Sequence, residues 1–171
     1  MKVKDIMTSD SLKYCGPETK LHEAAKVMRT GNCGTLPVLN AKKQVVGIIT
    51  DRDICLSIGK DKGLSAIEAN VGAVMSPQVH TVLESDDVNI ALGKMRANRV
   101  GRLPVIDQDG QLKGILSMHD LLAESIENGK PDLSQKSVPG ENIFKTIRAL
   151  SDRYIHRSTS ASKNETAKSS S

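Results

Sequence analysis

Two stretches of this chain place apolar residues on one helical face, and they do so in the same way. Leu21, Ala24, Ala25 and Met28 form the first set, and Val88, Ala91, Leu92 and Met95 the second. Steps of three and four are the mark of a 3.6-residue period. The pattern predicts Thr19 as the cap of the first helix, Gly31 as its end, and Asp86 as the cap of the second. A pair of short apolar runs follows each helix. Leu36 to Leu39 and Val45 to Ile49 read as strands joined by the polar turn 40–43. Leu103 to Ile106 and Leu112 to Leu116 repeat them across Gln108-Asp109-Gly110, a strong hairpin turn. A further helix then begins near Asp51 and again near Met118. The order strand, helix, strand, strand, helix therefore occurs twice.

Sequence landmarks support a true internal repeat. Val3-Lys4-Asp5-Ile6-Met7 returns as Val71-Gly72-Ala73-Val74-Met75, and Leu36-Pro37-Val38 as Leu103-Pro104-Val105. Gly47-Ile48-Ile49-Thr50 returns as Gly114-Ile115-Leu116-Ser117, and Asp53 as Asp120. One unit of roughly 60 residues buries too little surface to be secure alone. The expectation is thus an α/β (α+β) fold of two β-α-β-β-α repeats, 1–62 and 63–130, packed with pseudo-twofold symmetry. The pattern stops at Asn128-Gly129-Lys130-Pro131, where Gly and Pro mark a break. Residues 131–156 read as a linker, 132–139, and an amphipathic helix from about 141 to 156. Ile143, Ile147, Leu150 and Tyr154 share one face of that helix, with Phe144 beside it. It could dock on its own chain, on a second chain or on another protein. The Ser-rich tail 157–171 is expected to be disordered.

Composition narrows the function. The chain has 171 residues with no Trp, one Phe and two Tyr, so the core is aliphatic, and an aromatic cage or base-stacking platform lacks its parts. The net charge of +4 is that of a mixed-charge surface and gives no reason to expect nucleic acid as a partner. No apolar run is long enough for a membrane span, and MKVKDIMTSD is not a secretory signal. Cys15, Cys33 and Cys55 are odd in number and lack C-x-x-C spacing. Together these point to a cytoplasmic protein with free thiols. No histidine and cysteine pair has zinc-ligand spacing, so no metal is expected. No catalytic triad, paired carboxylates or Walker-type loop can be argued, so no enzyme is expected.

The residues that carry candidate chemistry are Thr50-Asp51-Arg52-Asp53 and Ser117-Met118-His119-Asp120. One reading is purely local: Thr or Ser caps a helix and an acid three residues on completes a capping box. The other adds a ligand. A carboxylate accepts the two hydrogen bonds that adjacent ribose hydroxyls offer, and a helix N-terminus suits phosphate. Arg52 would be a charged phosphate donor, with a surface role as its alternative, and His119, its counterpart, a weaker and pH-dependent one. Gly34 and Gly101, before the L-P-V strands, allow close approach of a ligand or serve the turn. Arg96, Arg99 and Arg102 form either an anion-attracting rim or a solvated face.

The D-I-M-T opening, the L-P-V strand and the G-h-h-[ST]-x-x-D closing motif (h is apolar), in tandem, resemble the cystathionine-beta-synthase-type (CBS) family over about residues 1 to 128. The resemblance implies a paired module whose two clefts bind adenosine-containing ligands, and a disc-shaped homodimer. It implies that Asp53 and Asp120 hold ribose, with Thr50 and Ser117 close to sugar and phosphates. The function expected from it is sensing of an adenine nucleotide (AMP, ADP or ATP) or S-adenosylmethionine, with no cofactor, and signalling to an effector protein. Two alternatives stay open: an interaction module with vestigial clefts, and a metal- or redox-responsive module using the cysteines.

Overall fold

The computed structural model describes residues 1–59, 67–127 and 140–151. The expected linker at 132–139, the helix end at 152–156, the tail 157–171 and the boundary between 62 and 63 fall outside them. The first repeat supplies α1 (Leu21–Thr30), β1 (Thr35–Leu39), β2 (Val45–Thr50) and α2 (Asp51–Ile58). The second supplies β3 (Val82–Leu83), α3 (Val88–Asn98), β4 (Arg102–Ile106), β5 (Leu112–Ser117) and α4 (Met118–Glu127). Residues 140–151 are helical and are called α5. β1 and β2 pair antiparallel, and the other strands lie in the order β3-β4-β5.

The leading strand, to which the sequence pattern assigned no residues, is short in the second repeat and a single bridge in the first. β3 has two residues, Val82 opposite Val105 and Leu83 opposite Ile106, in parallel. Its counterpart in the first repeat is a single bridge between Cys15 and Val38. Cys15 N–H donates to Pro37 O at 3.1 Å and Cys15 O accepts from Leu39 N–H at 2.9 Å. Gly16-Pro17 follows at once, and a proline has no N–H to extend the ladder.

The first helix of the first repeat ends at Gly31 as expected, but the helix starts lie one residue later than expected in both repeats. Lys20 rather than Thr19 precedes α1, because Thr19 Oγ1 is taken by Gly16 N–H at 3.0 Å. Asp87 rather than Asp86 caps α3, accepting from Asn89 N–H at 2.9 Å; that bond, foremost, holds the Asp87 carboxyl below its usual range. α1 ends in a Schellman motif, with Cys33 N–H on Met28 O at 3.0 Å and Asn32 N–H on Arg29 O at 3.3 Å. The left-handed residue is Asn32, at φ 47°, while Gly31 stays right-handed. α3 ends the same way, with Arg99 at φ 54°.

Each repeat lends its opening segment to the other. Lys2 bridges Asp87, Val3 N–H donates to Asp86 O at 3.0 Å, and Val88 N–H donates to Met1 O at 3.1 Å. In reverse, Lys20 bridges Asn70, Leu21 N–H donates to Ala69 O at 3.0 Å, and Val71 N–H donates to Thr19 O at 2.8 Å. Val3 and Val71 are both fully buried. The chain accordingly divides into two compact units that are not the two repeats. One holds 1–7, 85–103 and the chain from 116, and the other holds 8–84 and 104–115.

In the second of these units Leu21, Ala24, Met28, Leu36, Val38, Ile49, Ile54 and Val71 form one apolar cluster, with Ala25 packed against it. In the first, Val88, Ala91, Leu92, Met95, Leu103, Leu116 and Leu121 are buried. α5 belongs to this unit. Its Ile143 and Thr146 are buried, and Asn142 Nδ2 donates to Asn89 Oδ1 of α3 at 3.0 Å. The helix whose docking place the sequence left open thus rests on its own chain, with Phe144 facing outward at 71% exposure.

Candidate functional site

Both motifs sit where a strand ends and a helix begins, because β2 runs straight into α2 and β5 into α4. The first four amides of a helix lack intrahelical acceptors, and here the motif supplies part of what they need. Asp53 N–H donates to Thr50 Oγ1 at 3.2 Å. Thr50 returns two bonds to one carboxylate oxygen: N–H to Asp53 Oδ2 at 2.9 Å and Oγ1–H to the same atom at 2.7 Å. The second repeat reproduces this. Asp120 N–H donates to Ser117 Oγ at 3.3 Å, and Ser117 N–H and Oγ–H donate to Asp120 Oδ2 at 2.8 and 2.7 Å. The local reading of these motifs is therefore correct, with Asp filling the place of the usual Glu or Gln.

The same bonds leave chemistry over. All hydrogen bonds to the Asp53 and Asp120 carboxylates among the described residues fall on Oδ2. Oδ1 of each remains an acceptor with two lone pairs, on a side chain already fixed by its partner oxygen. Thr50, Asp53, Ser117 and Asp120 are half-buried, and Arg52 and His119 are exposed in the first helical turn. Arg52 carries no ion pair among the described residues; its backbone N–H donates to Asp51 Oδ1 at 2.7 Å. Thr50→Ala removes the cap and should cost about 1 kcal/mol, measurable as a lower urea midpoint with an unchanged slope.

Gly34 and Gly101 belong to these sites. Gly34 O accepts from Asp51 N–H at 3.1 Å, and Gly101 O accepts from Met118 N–H at 3.0 Å. Each glycine carbonyl thus satisfies the first amide of the helix that carries the motif. Their open faces differ. A methyl on Gly34 would lie 2.7 Å from Asp51 Oδ2, whereas one on Gly101 would lie 3.9 Å from Leu150 Cδ1 of α5. Nothing in the one-dimensional pattern distinguishes the two positions, since Leu150 comes from outside the repeat. A separate cleft of about 380 Å³, walled by Val45, Val46, Val79 and Ile106 among others, contains none of the motif residues.

The cysteines are unequal. Cys15 is buried, Cys33 half-buried and Cys55 exposed. Burial pushes the Cys15 thiol up to about 11, so it stays protonated near neutrality and is a poor nucleophile or metal ligand. Among the described residues no three His, Cys, Asp or Glu side chains gather as a metal site, and no helix is long and apolar enough to cross a membrane.

Comparison with known proteins bears on the same residues. The family model of the CBS domain matches residues 3–60 and again 71–127. An uncharacterized 17.7 kDa protein of Acidianus ambivalens is 36% identical over 135 residues, spanning 76% of this chain and 79% of that one. The CBS domain pair of protein MJ0100, solved with 5-methylthioadenosine and S-adenosyl-L-methionine, is 26% identical. It superposes with a TM-score of 0.65, covering 76% of this chain and 98% of its own. CBSX2, solved with AMP, is 25% identical with a TM-score of 0.66, over 75% of this chain and 98% of its own.

Proposed function

This chain belongs to the CBS domain family, and we propose that it is a regulatory sensor of adenosine-containing ligands rather than an enzyme. The observation that carries the reading is the half-used carboxylate of Asp53 and Asp120. Each is locked through Oδ2 into the helix cap and keeps Oδ1 for a further donor. A pre-oriented acceptor loses little freedom on binding, which favours affinity. In this reading Asp53 and Asp120 accept ribose hydroxyls, Thr50 and Ser117 flank the sugar, and Arg52 and His119 face phosphate. Two structural relatives solved with AMP, or with methylthioadenosine and S-adenosylmethionine, support the ligand class. The ligand would favour one arrangement of a cytoplasmic homodimer over another, and an effector protein would read the difference. Such a shift needs unequal affinity for the two arrangements.

A second reading has its own support. Both boxes are complete as caps without any ligand, as an interaction module with vestigial clefts requires. A thermal-shift series with AMP, ADP, ATP, NAD and S-adenosylmethionine on the wild type, Asp53→Asn and Asp120→Asn separates them. A sensor is stabilised by at least one compound, and one Asn variant loses that shift while keeping a near-normal melting point without ligand. If no compound moves the wild type, the sensor reading fails and the interaction module stands.

A further inference from the structure

We propose that α5 is a lid on the second of the two sites. This rests on the assignment of Asp53 and Asp120 as ligand residues and concerns how one of them is regulated. The two motifs are alike in their hydrogen bonds but not in their surroundings. At the first, the space beside Gly34 is bounded by the carboxylate of Asp51, a residue of the same helix start. At the second, the residue in the place of Asp51 is Met118, and the space beside Gly101 is met by Leu150.

Gly101 is bonded through its carbonyl to Met118 N–H, the residue between Ser117 and the rest of the Ser117–Asp120 cap. Leu150 thus stands beside the glycine whose carbonyl takes the first amide of the motif helix, on the face that a ligand would use for close approach. A nucleoside that packs against Gly101 on its way to Asp120 meets it. The seat of α5 is suited to release. Among its described residues Ile143 is the one large apolar side chain that is nearly fully buried, and Asn142 supplies a single side-chain bond to α3. The outward Phe144 contributes little to the seat. At the first site the atoms beside the glycine belong to the Asp51 side chain, which can turn away, and not to α5; that site fills first, and the second fills only when α5 lifts.

Calorimetric titration with AMP and with S-adenosylmethionine tests this. The Asp53→Asn and Asp120→Asn variants assign each binding step to its site. In the wild type the step lost in Asp120→Asn is expected to be at least tenfold weaker than the step lost in Asp53→Asn. Leu150→Ala and Ile143→Asp each strengthen the Asp120 step about tenfold and leave the Asp53 step unchanged. Adding Asp120→Asn to either abolishes the gain. Amide hydrogen exchange of 140–151 in the wild type reports the lid directly, becoming faster at saturating ligand. The inference is overturned if the Asp120 step is equally tight in the wild type and in Leu150→Ala, or if that site fills with no change in exchange. Absence of binding by every variant would overturn it together with the reading on which it rests.

Discussion

Leu36→Ala is expected to destabilise the fold by roughly 2–5 kcal/mol, a large part of the 5–15 kcal/mol that a domain typically has. Leu36 is fully buried, and every residue of β1 is buried, so the strand is covered on both faces. It lies in one cluster with Leu21, Met28, Ile49 and Val71. Truncation removes the transfer free energy of the side chain and leaves a cavity that rigid neighbours on two elements fill poorly. Leu56 is the matched control: it is 55% exposed on α2, and Leu56→Ala should shift stability by no more than about 0.5 kcal/mol. Urea unfolding of the three proteins decides it. Equal midpoints for the two variants would mean that β1 is not in the core.

The second large effect is expected at Gly47. A glycine inside a strand usually weakens it, and this one, opposite Val38 in the β1–β2 ladder, has no unusual backbone angle to justify it. The reason lies in the other repeat. The side chain of Met75 crosses Gly47 so closely that a Cβ would overlap Met75 Sδ, with Cγ and Cε each 3.2 Å away. The neighbouring backbone fixes the approach, since Ile48 and Ser76 exchange N–H bonds at 3.1 and 2.9 Å. Gly47→Val should therefore cost about 1–3 kcal/mol by overpacking. Met75→Ala should recover part of that loss in the double variant, a coupling of about 1 kcal/mol in a mutant cycle. Strict additivity would place the cause elsewhere.

That pair of residues also shows what the sequence could and could not tell. Gly47 and Met75 were visible as landmarks of the two repeats, and their recurrence sufficed to identify the elements. Their contact was not visible, because periodicity reports which face is apolar and not what lies on it. The inward faces of α1 and α3 were legible for the same reason: four matched positions on each share a 3.6-residue period. Caps were less so. Thr19 had the right chemistry for one, but its hydroxyl was claimed by the amide of Gly16. The second hairpin announced itself through Gly110, at φ 78°, whereas the first places Lys43 in the same left-handed position at φ 61°. A side chain that tolerates strain leaves no trace in composition. At the site, the capping pairs were readable as motifs, while the neighbour of Gly101 came from a helix with no counterpart in the repeat.

The exchange of opening segments has a consequence for how such a chain can be cut. A half-chain ending after α2 would carry residues 1–7 with no α3 to close, and an α1 start lacking the amide and carbonyl partners that 69–71 provide. It would leave Val3 without its seat and expose the place of Val71, so it should not persist as a folded monomer. Two copies of one half-chain, however, offer each other what each lacks. Reciprocal trading of identical arms is the ordinary route to a swapped dimer. The tandem chain can be understood as such a dimer made permanent by one peptide link. Co-expressed halves should then complement each other without that link, and a break between them should be tolerated better than the loss of seven residues from the N-terminus.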